Sequence, residues 1–74
     1  MKTIHVRSEI SGTVCEVGVT VGQQVQEGDI ILTIESMKME IPIEAACDGT
    51  VTQINHQEGD PINEDDEIAI IEVS

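Results

Sequence analysis

Short runs of apolar, mostly β-branched residues alternate with clusters of turn formers along the whole chain. Runs over 3–7, 12–17 and 30–36 read as strands, and a second set lies near 40–44, 49–54 and 67–73. Val25 and Ile62, each enclosed by turn residues, add one short strand apiece. The second set repeats the first. A shift of 37 residues lays Gly12-Thr13-Val14 on Gly49-Thr50-Val51, Gly22 on Gly59, and Ile31, Ile34 and Glu35 on Ile68, Ile71 and Glu72. Ile4 with Ile41, Val6 with Ile43, Val17 with Ile54 and Val25 with Ile62 are conservative pairs in the same frame. The chain of 74 residues therefore reads as one domain, 1–74, made of two repeats, 1–37 and 38–74. A unit of that size cannot bury an apolar face alone, so the repeats must pack on each other. The pattern predicts two packed antiparallel sheets of about four strands each, related by a pseudo-twofold axis.

Ile31, Ile34, Ile68 and Ile71 are the core candidates, apolar at matched places in both repeats. Their three-residue spacing breaks strict alternation, which requires either a bulge or a strand buried on both faces. Gly12, Gly22 and Gly28, with Gly49, Gly59 and Asp65 at the matching places, are read as turn positions of positive φ. Pro42 has no N–H for a strand ladder, so that side of its strand should face solvent.

Composition agrees with the pattern. Valine, isoleucine and threonine supply 26 of 74 residues, Leu32 is the single leucine and aromatics are absent, which favours an all-β chain. Fifteen acidic residues face Lys2, Arg7 and Lys38, giving a net charge of −12. Such a surface repels phosphate backbones and anionic lipid, so nucleic acid and membrane are excluded as partners and basic protein surfaces are favoured. No run approaches the roughly 20 apolar residues of a membrane span, and no signal peptide opens the chain. Cys15 and Cys47 form no paired motif and read as reduced thiols of a cytoplasmic protein. Together with His5 and His56 they match no zinc spacing, and the run Glu64-Asp65-Asp66-Glu67 lacks the ligand alternation of a calcium loop, so no metal is expected.

The seam between the repeats is where the second copy stops echoing the first. It reads Ile34-Glu35-Ser36-Met37-Lys38-Met39-Glu40-Ile41-Pro42-Ile43 and leaves room only for a tight hairpin. Hairpin tips favour Asn-Gly, not Met-Lys. Two methionines around a lysine, where folding gains nothing from them, mark a functional site.

Glu35-Ser36-Met37-Lys38-Met39 resembles the attachment signature of biotin carriers, in which a lysine between two methionines receives biotin. Gly12-Thr13-Val14, Val19-Thr20-Val21-Gly22, Gly28-Asp29 and Glu58-Gly59-Asp60 also fall where the biotinyl/lipoyl attachment family places such residues, so the resemblance spans the whole chain. Its nearest likeness is to the short stand-alone biotin/lipoyl attachment proteins. The resemblance implies a flattened barrel-sandwich hybrid and a non-catalytic carrier. It implies covalent biotin on Lys38, with Glu35, Ser36, Met37, Met39 and Glu40 around the attachment point. It also implies a biotin protein ligase that loads the chain, and biotin carboxylase and carboxyltransferase components that use it, as in a carboxylase of the acetyl-CoA type. The free chain is expected to be a monomer. No insertion between Val21 and Gly28 forms the protruding thumb of some carriers, so the arm is expected to stay mobile.

Two other functions compete. A lipoyl carrier would share the architecture and carry lipoate, but lipoyl domains set their lysine between Asp and Ala. An unmodified interaction module, like the hairpin-sandwich domains of membrane-fusion adaptors, would need no lysine at the seam.

Overall fold

Eight strands form where the β-branched runs lie. The computed structural model describes residues 2–74, and Met1 lies outside them. In chain order the strands are β1 (Thr3–Arg7), β2 (Gly12–Val17), β3 (Gln24–Val25), β4 (Ile30–Ser36), β5 (Met39–Glu44), β6 (Gly49–Ile54), β7 (Pro61–Ile62) and β8 (Glu67–Val73). They build two four-stranded antiparallel sheets, ordered β1-β8-β6-β3 and β5-β4-β2-β7. Adding 37 to the residue numbers of β1 and β3, and subtracting 37 from those of β6 and β8, carries one sheet onto the other. Each sheet nonetheless takes two strands from 1–37 and two from 38–74, so the repeats interleave within both layers.

The spacing of the core isoleucines is resolved by bulges. Ile31 is skipped in the β4–β5 register and Ile68 in the β8–β1 register. One extra residue turns two consecutive side chains inward. Ile31 and Leu32 are thus both fully buried, as are Ile68 and Ala69, with Ile34 and Ile71 following at the next inward positions. Burying each isoleucine contributes about 1.5–3 kcal/mol, so these bulges carry much of the core. On the partner strands Cys15 and Thr52 are the skipped residues. The Cys15 thiol donates to Thr33 O at 3.4 Å and the Thr52 hydroxyl donates to Ile70 O at 3.2 Å, the same bond in both repeats.

Gly22, Gly28, Gly59 and Asp65 have φ of 94, 93, 91 and 72°, as expected for turns that need a left-handed residue. Gly12 and Gly49 do not, and their role differs from the one read in the sequence. A Cβ on Gly12 would stand 2.5 Å from Glu35 O and 2.7 Å from Ile34 Cγ2; on Gly49 it would stand 2.2 Å from Glu72 O. These glycines let β2 and β6 approach the neighbouring strand closely; they do not turn the chain.

β5 is an edge strand, which accommodates Pro42. Its hairpin with β4 has its base beside Ser74: Gly28 N–H donates to Ala45 O, Glu27 N–H to Asp48 Oδ1 and Ser74 N–H to Asp48 O. The hairpin tip lies at the opposite end of β4 and β5 from these contacts.

Candidate functional site

Lys38 sits at that tip. Ser36 pairs with Met39, leaving Met37 and Lys38 as a two-residue turn. Their φ values are 52 and 66°. Positive φ at both central residues is the signature of a type I′ turn, whose twist matches the flanking strands. For residues with a Cβ the left-handed region costs roughly 1–2 kcal/mol each. The tip thus holds two side chains that the turn itself disfavours. Met37 is 92% exposed, Met39 64% exposed and Lys38 exposed. Lys38 makes no salt bridge among the described residues. Its side chain is open to solvent at the turn.

The base of the tip is packed against the core, and β4 is paired on both sides. Ile34 is fully buried, Ser36 is half-buried, and the hairpin is backed by β2, with Thr13 opposite Glu35 and β7 beyond it. The close approach at Gly12 holds β2 against Glu35 O. Gly12 is thus a supporting residue at the hairpin, recognisable in the sequence only as half of the repeated Gly-Thr-Val. Glu35 lies directly across from Glu40, both exposed. Like charges in that arrangement are unfavourable, and they give the outer face below Lys38 a negative potential. Burial pushes the Cys15 thiol above its usual range, and the charges of Glu40 and Glu35 push it further. A thiol held protonated is a poor nucleophile.

The other candidate chemistry lies elsewhere. Cys47 is half-buried against the core. On the other sheet His5 Nδ1 hydrogen-bonds Glu67 Oε1, and Asn55 Nδ2 donates to Glu67 Oε2 at 3.1 Å. His56 Nε2 stands 4.0 Å from Asp66 Oδ2. Among the described residues no three His, Cys, Asp or Glu side chains converge as metal ligands, and no helix is long and apolar enough to cross a membrane.

The family model described as biotin-requiring enzyme, with biotin and lipoyl in its name, matches residues 3–71. The chain belongs to the biotin/lipoyl attachment family. It is 46% identical over 66 residues to the biotinylated protein TB7.3 homolog of Mycobacterium leprae (strain TN), covering 89% of this chain and 93% of that one. It is 41% identical over 58 residues to a biotin/lipoyl attachment protein of Bacillus subtilis (strain 168), covering 78% and 80%. Among solved structures, the urea carboxylase of Kluyveromyces lactis contains a region with a TM-score of 0.90 and 32% identity. That match covers 96% of this chain and 6% of the carboxylase. The all-β, two-sheet fold is that of a biotin/lipoyl attachment family member.

Proposed function

We propose that this chain is a biotin carrier whose Lys38 accepts biotin from a biotin protein ligase. The observation that supports it is the tip itself: an exposed lysine that, with Met37, takes up a turn conformation folding would assign to Asn-Gly. Lys38 fits covalent attachment because its amine stands on a flexible four-carbon stem above the β4–β5 hairpin. The deprotonated Nζ attacks the carbonyl carbon of the activated acyl group. An amide C–N bond forms, the bond to the adenylate leaving group breaks, and the amine proton passes to solvent. Met37 and Met39 offer soft apolar contact to the ligase, and Glu35 and Glu40 orient the hairpin against its basic surface. Ser36, half-buried at the end of β4, holds the strand pair closed below the tip.

Bound biotin would supply carboxyl uptake and release. The chain supplies the tether, presenting the group to biotin carboxylase and then carboxyltransferase at high effective concentration. The acetyl-CoA carboxylase type rests on the family resemblance. The free chain is a cytoplasmic monomer in this reading, since a net charge of −12 opposes self-association.

Intact-mass analysis after incubation with a biotin ligase, biotin and ATP, and in parallel with a lipoate ligase and lipoate, tests the proposal. One biotinyl group per chain, absent in Lys38→Arg at unchanged melting temperature, is expected. Loading by the lipoate ligase alone supports the lipoyl reading, and no loading by either supports the unmodified module.

A further inference from the structure

Sulfur is unevenly placed in this molecule. The core is filled by valine, isoleucine, Leu32 and alanine, with no methionine among its described members. Met37 and Met39 flank Lys38 and are 92% and 64% exposed. The thiols are less available: Cys15 is half-buried, donates to Thr33 O and faces Glu40 and Glu35, and Cys47 packs against the core. An oxidant reaching the folded protein therefore meets two thioethers at the acylation point before it meets a reactive thiolate.

We propose that Met37 and Met39 form an oxidation-sensitive gate on Lys38, closed when a peroxide converts their thioethers to sulfoxides. The proposal rests on Lys38 being the acylated residue. In each step a sulfur lone pair attacks one peroxide oxygen. The S–O bond forms as the O–O bond breaks, sulfur loses two electrons, the peroxide gains them, and the second oxygen leaves as water. A sulfoxide is polar and chiral where the thioether was soft and apolar, so contact with a loading enzyme is lost. The fold is untouched, because Met37 lies in the turn and Met39 in the last strand pair, Ser36–Met39, and both side chains are exposed outside the core. The change is reversible by sulfoxide reductases, one for each epimer.

The test uses the unmodified chain and hydrogen peroxide. Peptide masses are expected to show one oxygen on Met37 and one on Met39 before either cysteine reacts, with Met1 scored separately. Biotin incorporation by the ligase should then fall by about tenfold at unchanged melting temperature. Treatment with both sulfoxide reductases should restore it. Met37→Leu with Met39→Leu, close in volume and not oxidisable, should load equally before and after peroxide. Should that variant load poorly even untreated, the reductase arm decides. An oxidised chain that loads at full rate overturns the gate, as does a loss of loading that the reductases do not reverse. An untreated wild-type chain that accepts no biotin overturns the Lys38 reading and the gate with it; normal untreated loading confines any failure to the gate.

Discussion

At the scale of single residues, the internal repeat works as a built-in control. Position 19 holds a buried valine, and 37 residues on stands His56, whose Nδ1 is buried without a hydrogen-bond partner. An unpartnered buried polar group costs about 1–3 kcal/mol. His56→Val should raise stability by about 1 kcal/mol, read as a higher urea midpoint at unchanged slope. An unchanged or lower midpoint would mean that the Asp66 contact outweighs the orphaned nitrogen. Cys15 and Thr52 show the opposite case, a thiol and a hydroxyl making one equivalent bond, so the cysteine needs no chemical role. Glu67 carries a pH dependence. The hydrogen bond from His5 holds its carboxyl below the ordinary value of 4.5, with smaller help from Asn55 and Arg7 and against the effect of burial. A depressed folded pKa stabilises above the unfolded value and loses its effect as pH falls through the folded one. Glu67→Gln should therefore melt below the wild type at pH 6, and the gap should close as the pH is taken well under 4.5. A gap of constant size across that range would assign the effect to packing.

At the scale of elements, the β4–β5 hairpin sets the proposed attachment against folding. Its conflict was visible in the sequence, because Met-Lys is a poor tip for a tight turn. The left-handed backbone of both residues was not visible, since it depends on the strand twist that the turn must match. Met37→Asn with Lys38→Gly should stabilise the chain by about 1–3 kcal/mol. It should also abolish biotin incorporation, with thermal melting and intact mass as the two readouts. Loss of stability instead would show that the present tip is not strained. Glycines 12 and 49 mark the limit of local reading. Their repetition was plain, but a positive φ and a close strand approach leave the same trace in a sequence. Only the 2.5 and 2.2 Å separations to a neighbouring carbonyl distinguish them.

At the scale of the whole molecule, the interleaving of the repeats predicts that neither half is a folding unit. Each sheet needs two strands from each half, and β2 and β6 find β7 and β3 only in the other. Peptides 1–37 and 38–74 should each lack a cooperative melt by circular dichroism, whereas an equimolar mixture should regain β structure. A cooperative transition from either peptide alone would contradict the interleaved packing.

What the chain determines through its own order of residues is local. β-branched runs make strands, glycine and aspartate at left-handed positions end them, a 37-residue period doubles them, and Lys38 stands between two methionines at the seam. These follow from side-chain shape and backbone sterics acting over a few residues. Tertiary structure alone decided the rest: the mixing of repeats within each sheet, the bulges that bury Leu32 and Ala69 beside the isoleucines, and the left-handed backbone of the Met37-Lys38 tip. Those outcomes turn on which distant strands pair and in what register, and pairing is settled by the shared core that both halves must fill together.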